Sequence, residues 1–553
     1  MRQSLLSLLF IFGFFSLTIA QEITVNGTVR SAEDGTTLPG VTVAVKGTQQ
    51  GTITDVNGVY SIDVAADGIL VFSFIGMETT EVAVNNRNII NIDLEPAVQA
   101  LEEVVVVGYG TESKKLLSSS VAEYKPRALE EIPVDNMPAV LQGKVSGVQV
   151  VQNSGTPGAG MSVRIRGNNS INAGNTPLYV IDGIPMLTGN FGQISFSGQS
   201  INAINDLNPA DIESITVLKD AAATSIYGAR ASNGVILITT KRGKMAKTRI
   251  NFSAYGGFQM AERTLDMLDA SQWMRYRNEL KENEGAPPIY SPDEIANPEV
   301  NTDWLDEVFR TAALMNYELS AAGGSDKTTF YLSGSYSQQD GILIGTDYQR
   351  LNGRLNLDHN LNTRLKIGTS VGLSYSWNNR VEGDQSLNGP LPNAISLPAI
   401  YPVYNPDGSY NEEGPYANPV AIANEATNQA QNFRTIANIY GRYRILSGLS
   451  FESRWGIDYL NLYEHSYDPV TTRQGAKYNG LGIEGNSIAS NFTTNNFFTY
   501  DKTFNKQHTI NATLGYTYER YVRKSSYIEA TDFPNEYFTY ITSAANIRAA
   551  SAI

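Results

Sequence analysis

Cysteine is absent from the 553 residues, and histidine occurs only three times. Disulfide frameworks, zinc ribbons and thiol nucleophiles are therefore excluded, and little is left for transition-metal chemistry. Charge is scarce as well. Only 17% of residues are charged, and 41 basic against 55 acidic side chains give a formal net charge of −14. That balance disfavours a nucleic-acid partner, because phosphates need clustered Lys/Arg and here only pairs such as Lys241-Arg242 occur. Past the first 20 residues no apolar run reaches the roughly 18 residues of a membrane-crossing helix, so any contact with a bilayer is made by strands. Glycine (48), tyrosine (30) and phenylalanine (20) are plentiful, over a length that fills several domains rather than one core.

Residues 1–20 place Arg2 before an apolar stretch from Leu5 to Ile19 and end in Thr18-Ile19-Ala20, with small residues at −3 and −1 of a cut. This is the pattern of a secretory signal, and the mature chain is expected to start near Gln21. Residues 21–97 alternate in short β-rich runs separated by turn signals. Asn57-Gly58 and Asp67-Gly68 suit hairpin turns, whose positive φ those residues tolerate, and the block reads as a seven-strand sandwich. Asp55-Val56-Asn57-Gly58 is read as a turn, since the spaced ligands of a calcium loop are missing.

The linker, residues 98–115, carries Glu102-Glu103-Val104-Val105-Val106-Val107-Gly108-Tyr109-Gly110. Four valines favour an extended chain, and the flanking glycines and charges argue against a hairpin neighbour. Two readings stay open: a strand added to an adjoining domain, or an exposed strand that pairs with another protein through its backbone. Residues 116–245 mix helix and strand. Val163-Arg164-Ile165-Arg166-Gly167 alternates, which puts Arg164 and Arg166 on one face. Val180-Ile181-Asp182-Gly183 is a strand and turn, and a small-residue run from Lys219-Asp220 through Tyr227-Gly228-Ala229-Arg230 to Gly234 fits a tight helical turn on a sheet. Gly155–Gly160 lacks the Lys-Ser/Thr of a phosphate loop and is read as a turn.

From residue 246 to 553 the texture is one of aromatic-rich segments alternating apolar with polar. In 364–377, Leu365, Ile367, Thr369, Val371, Leu373, Tyr375 and Trp377 share a face opposite Lys366, Ser370, Ser374 and Ser376. In 349–358, Leu351, Leu355 and Leu357 oppose Arg350, Asn352, Arg354, Asn356 and Asp358. Nine strands are expected near 248–258, 314–322, 328–338, 347–358, 364–377, 433–446, 449–461, 490–502 and 507–519. The gaps between them alternate longer and shorter, as do the outer loops and inner turns of an outer-membrane barrel. A long first gap makes the first strand climb from the periplasmic side. Nine is odd, bacterial single-chain barrels close with even numbers, and the tail 520–553 reads as an outside loop, so the expected sheet is an incomplete barrel and the chain an N-terminal fragment. The fold class is thus mainly β: a small β-sandwich, a mixed α/β domain, which the resemblance given next makes a plug domain, and an incomplete transmembrane antiparallel β-barrel.

These motifs, in this order, resemble the SusC/RagA family of TonB-linked outer-membrane transporters. The likeness covers the whole chain and includes Asn301-Thr302-Asp303-Trp304 and Gly324-Ser325-Asp326-Lys327 at the start of the barrel. By that resemblance the first block is carboxypeptidase-regulatory-like without peptidase chemistry. Glu102 to Gly110 become the TonB box, and Arg164, Arg166, Gly167, Asp182, Gly183, Lys219, Asp220, Tyr227, Gly228, Arg230 and Gly234 become plug-signature residues. The partners implied are the TonB-ExbB-ExbD energy-transducing complex, a SusD-like surface lipoprotein as a lid, outer-membrane lipid, and a glycan or peptide ligand. The location implied is the outer membrane of a Gram-negative bacterium, with the N-terminal region in the periplasm. Arg164 and Arg166 are expected to pair with acids on the inner barrel wall, while Tyr227, Gly228 and Gly234 serve turns and packing. Tyr401, Tyr404, Tyr410 and Tyr416 either stack on sugar rings or pack the rim. A siderophore or cobalamin receptor without a lid is the alternative within transport, and a non-transporting surface receptor or adhesin the alternative outside it. An enzyme is not expected. His359, His465 and His508 are isolated, no nucleophile, base and orienting group come together, and neither cofactor nor metal is implied.

Overall fold

The computed structural model describes residues 22–32, 35–48, 50–74, 77–95, 104–107, 110–113, 120–125, 137–152, 154–171, 174–194, 203–383, 386–505 and 508–553. The signal at 1–20 lies outside them. The chain divides into two compact units, Met1–Glu103 and Val104–Ile553.

In the first unit the strands are β1 (Glu22–Ser31), β2 (Thr42–Val45), β3 (Gly51–Ile53), β4 (Val59–Ala65), β5 (Ile69–Ser73), β6 (Thr80–Ala83) and β7 (Ile92–Leu94). They form the seven-strand sandwich expected, with sheet orders β4-β1-β7 and β3-β2-β5-β6. Alternate residues point inward, so Val25, Val29, Val43, Tyr60, Ile62, Leu70 and Phe72 make one buried cluster. The Tyr60 hydroxyl donates to the Ile90 carbonyl at 2.8 Å, which satisfies the only polar atom of that ring. Asp55 closes a turn by accepting from the Asn57 and Val59 amides at 2.9 and 2.8 Å, with Gly58 at φ 75°.

The second unit opens with a hairpin. β8 (Val104–Val107) pairs antiparallel with β9 (Gly110–Ser113), from Val104↔Ser113 to Val107↔Gly110. This corrects the expectation that the valines lack a hairpin neighbour. Only two residues separate the strands, a glycine first among them, and that is the length and composition of the commonest hairpin connections. The remaining strands of the plug are β10 (Val121–Tyr124), β11 (Val148–Gln152), β12 (Met161–Ile165), β13 (Leu178–Ile181), β14 (Ile184–Pro185), β15 (Ile212–Leu218) and β16 (Val235–Thr240). One sheet runs β10-β15-β16-β13-β14, and β11 pairs with β12. β13 and β16 are parallel partners, and Leu178, Val180, Ile181, Val235, Leu237 and Ile238 are buried on both faces, which explains their near-continuous apolar sequence. The small-residue run forms the helical turn Ala221–Thr224, followed by a 3-10 stretch Ser225–Ala231.

Ten strands follow: β17 (Ala246–Gln259), β18 (Ala312–Gly324), β19 (Thr328–Asp340), β20 (Asp347–Asn360), β21 (Leu365–Asn379), β22 (Thr427–Leu446), β23 (Leu449–Asp468), β24 (Leu481–Phe504), β25 (His508–Thr531) and β26 (Asn546–Ala552). Each pairs antiparallel with the next in one curved wall, and no pairing joins β17 to β26 among the described residues. The nine expected strands are all present. The corrections are at the far end, where β22 to β25 extend well past the expected limits and the tail supplies a tenth strand instead of a loop. Polar and charged residues in those extensions, such as Glu464-His465-Ser466, hid the strand periodicity. Long and short connections still alternate. The segments 260–311 and 380–426 are long, and they pack together through Trp304, Leu305, Val308, Leu397, Val403 and Val420, with Trp304 Nε1 donating to the Pro398 carbonyl at 3.1 Å.

The wall is inside out by the standard of a soluble sheet. Leu319, Leu332, Leu351, Ile439, Trp455 and Leu514 are exposed, whereas Arg350, Asn352, Arg354 and Asn356 are buried, Asn356 to 1% exposure. Apolar residues facing out and polar residues facing in is the arrangement of a strand wall in lipid. No helix of the described residues is long and apolar enough to cross a membrane.

Candidate functional site

The buried face of the wall is the seat of the plug. β20 places Arg350, Asn352, Arg354 and Asn356 on that face because its residues alternate. Arg350 donates to the Asn205 carbonyl, and Asn352 to the Asp206 carbonyl at 2.8 Å. Asn356 donates to Thr240 Oγ1 at 2.8 Å and to the Lys241 carbonyl at 2.6 Å. Arg354 Nε lies 3.3 Å from Asp211 Oδ2, and the same carboxylate accepts from the hydroxyls of Tyr331, at 2.9 Å, and Ser333. All of these partners but Lys241 are buried, so most of these bonds act with little competition from water.

Further round the wall, β22 and β23 supply a second clamp. Arg434 meets Asp458 at 2.9 and 2.6 Å, reaches Asp206 at 3.6 Å, and donates to the Leu187 carbonyl at 3.1 Å. Asp458 in turn accepts from the Leu187 amide at 2.7 Å. Glu464 accepts from the amides of Gln193 and Ile194, and pairs with Arg380 at 3.0 Å. Breaking one side of a buried pair of this kind costs about 3–5 kcal/mol, because it strands the other charge. The clamp is therefore stiff at rest.

Asp182 and Gly183 form a third point of contact. The turn they make has φ 46° and 85°, and a side chain at Gly183 would place its Cβ 2.5 Å from Arg454 Nη1. Glycine is needed there for its conformation, and a Cβ would also push the end of the Arg454 side chain aside. Arg454 donates to the Asp182 carbonyl, and Asn495 to the Gly183 carbonyl at 3.0 Å. The Asp182 carboxylate accepts from Thr240 Oγ1 at 2.7 Å and from Ser370 Oγ at 3.1 Å. Burial works against its charge, but Arg242, Arg354 and the Thr240 hydrogen bonds hold its carboxyl below the usual carboxylate range.

A family model described as "TonB-dependent Receptor Plug Domain" matches residues 113–235, and one described as "CarboxypepD_reg-like domain" matches residues 25–106. TonB-dependent receptor P3 of Formosa agariphila is 35% identical over 531 residues, 94% of this chain and 50% of that protein. TonB-dependent receptor SusC of Bacteroides thetaiotaomicron is 36% identical over 399 residues, 72% of this chain and 38% of that protein. Among solved structures, the RagAB peptide importer in its open-open state superposes with a TM-score of 0.68 at 25% identity, over 82% of this chain and 53% of that one. Over most of its length the chain is similar to SusC/RagA-like TonB-dependent receptors. It spans about half the length of the curated relatives it matches. Those relatives are named as TonB-dependent receptors.

Among the plug-signature residues expected from the sequence, the structure separates seat contacts from internal ties. Asp182 and Gly183 touch the wall as described, and Arg230 pairs with Glu519 of β25. Arg166 does not reach the wall as expected. It turns at φ 57° to pair with Asp220 inside the plug, because β12 ends there, and Arg164 is exposed. The Ser120 amide, at 2.7 Å, and Arg166 together hold the Asp220 carboxyl below its usual range. Lys219 Nζ donates to the Ser146 carbonyl at 2.7 Å, and Tyr227 packs beside Leu178, Leu218 and Val235. Gly228 at φ 69° and Gly167 at φ 91° make turns, and a Cβ on Gly234 would meet Ile165 Cδ1 at 2.7 Å. Val104 to Val107 and Gly110 lie in the β8–β9 hairpin, whereas Glu102, Glu103, Gly108 and Tyr109 are outside the described residues. The wall residues Arg434, Asp458 and Glu464 and the plug residues Asp206 and Asp211 were missed. Their signal was a charge recurring on the inward face of an alternating strand, visible for Arg434 but unreadable for the plug loop. Tyr401 and Tyr410 pack against the Trp304 cluster, and the Tyr404 ring lies tilted against that of Tyr410, with centroids 5.2 Å apart.

Proposed function

We propose that the protein is a TonB-dependent outer-membrane importer of oligosaccharides or peptides that works with a SusD-like lipoprotein lid. The observation that carries this reading is the wall itself, whose exposed face is apolar and whose buried face is an array of Arg and Asn side chains gripping a folded plug. A plug held by many buried hydrogen bonds, with the pairs Arg354–Asp211 and Arg434–Asp206 crossing from wall to plug, does not leave as one piece by thermal motion, so passage requires work supplied from outside the barrel. The valine linker supplies a handle, since a backbone-paired strand transmits tension along its length. The likeness to a structure described as a peptide importer supports the transport reading and leaves the choice between glycan and peptide to the ligand site. In a complete receptor, deleting residues 103–110 is expected to abolish energised uptake while surface binding and barrel assembly stay at the parental level. Uptake that survives the deletion refutes the reading. Co-purification of a lipoprotein with the receptor tests the lid, and its absence favours the lidless siderophore or cobalamin class.

A further inference from the structure

The long connection 380–426, the ends of β22 and β23, and the segment after β23 enclose a cavity of about 200 Å³ on the long-loop side of the wall. Two carboxylates, Glu382 and Asp468, line it. Among the described residues neither has a cationic partner, and the only group hydrogen-bonded to Glu382 is Ser386 Oγ. The two arginines that also line the cavity are engaged elsewhere. Arg380 pairs with Glu464 at 3.0 Å and Arg473 with Glu412 at 3.2 Å.

Asn428 supplies the second, independent observation. It is 7% exposed and lines the same cavity, and its Nδ2 has no hydrogen-bond partner. Its orientation is fixed, because Oδ1 accepts from Arg380 Nη2 at 3.2 Å and a guanidinium can only donate. A buried donor without an acceptor costs stability until something fills the place, and so do two neighbouring carboxylates without a counter-charge. What satisfies all three is a cation adjacent to a hydrogen-bond acceptor. Leu387, Ile422 and Tyr416 supply apolar lining beside these groups, and the volume suits one monomer unit of a chain.

We propose that this cavity binds the protonated amine of the transported ligand. Glu382 and Asp468 serve as its counter-charge, and Asn428 Nδ2 donates to the oxygen next to it. The amino terminus of a peptide, with its first carbonyl, and an amino sugar, with its adjacent hydroxyl, both present that pair of groups. A neutral glycan does not. The proposal names the substrate class of the importer reading and rests on it for the word transported, but binding is measured without any energy source.

The test uses the complete receptor in detergent micelles and four probes: tetra-alanine, N-acetyl-tetra-alanine, the tetramer of glucosamine and the tetramer of N-acetylglucosamine. By calorimetry at pH 6.5, a free-amine probe is expected to bind at least tenfold more tightly than its acetylated counterpart. The peptide pair showing this alone identifies a peptide ligand, and the glucosamine pair alone an amino sugar. The double variant Glu382→Gln, Asp468→Asn should erase the ratio, and the peptide's affinity should fall once the pH passes about 8, where an α-amino group loses its proton. Equal binding of free and acetylated probes, no binding of either free amine, or a ratio that persists in an assembled double variant overturns the proposal. Should the variant fail to assemble, acetylation and pH decide on the parental protein. Loss of the box effect on uptake with the amine preference intact sinks the importer reading alone. The reverse result sinks only this site.

Discussion

Arg434 serves two carboxylates unequally. Its guanidinium makes two short bonds to Asp458 and stands 3.6 Å from Asp206, a buried carboxylate that also accepts from Asn432 Nδ2 at 2.8 Å. Burial is the largest influence on Asp206 and pushes its carboxyl up to about 6. Arg434 and Arg350 pull the other way, and Asp458 adds to the rise. A carboxyl whose folded value lies above its unfolded value near 3.8 favours the folded state when protonated. Ionisation costs stability progressively as the pH climbs from about 4 through about 6. Asp206→Asn removes that cost. The variant's gain in plug melting temperature over the parent should therefore be small at pH 4, grow to pH 7 and then level off, as scanning calorimetry in detergent will read. A gain that shrinks with rising pH contradicts this account.

At the scale of the strand, β20 shows which parts of this fold a sequence can reveal. Period-two alternation placed Arg350 and Asn352 opposite Leu351, and the structure keeps that division residue by residue. What alternation could not say was which face is buried, since a soluble sheet would bury the leucines. The unequal connections settled that point, because they mark two different sides of a membrane. Leu355→Arg, near the middle of β20 on the exposed face, is expected to cost about 2–4 kcal/mol. Folding titrations into lipid vesicles should show it, and a cost near zero would place that face in water. The misread elements share a physical cause. The extensions of β22 to β25 carry polar and charged residues such as Asn428, Glu464 and Glu484 among their apolar ones, so alternation in the sequence fades there although the strands continue. The β8–β9 pairing was missed because charge and glycine content were weighed above loop length. Contacts such as Arg434 with Asp206 join residues far apart in the chain, and no local pattern encodes them.

For the molecule as a whole, the first unit is separable. Its core of Val25, Val29, Tyr60, Leu70, Phe72 and Leu94 is enclosed by its own two sheets. Residues 22–95 expressed alone are expected to unfold cooperatively with a stability of roughly 4–10 kcal/mol, measured by circular dichroism in urea. A broad, non-cooperative loss of signal would show that the sandwich depends on the rest of the chain. The wall and plug are coupled differently. Asn352, Asn356, Asn491 and Asn495, with Arg350, Arg434 and Arg454, hold the plug largely by its backbone carbonyls. An amide that lets go of a carbonyl can take a water molecule in its place at little loss. The stopper is thus lubricated by design: a tug can break its grip one bond at a time, each gap wetting as it opens. Because the grip recognises the course of the main chain more than the identity of its side groups, the plug's surface is free to diverge without losing its seat.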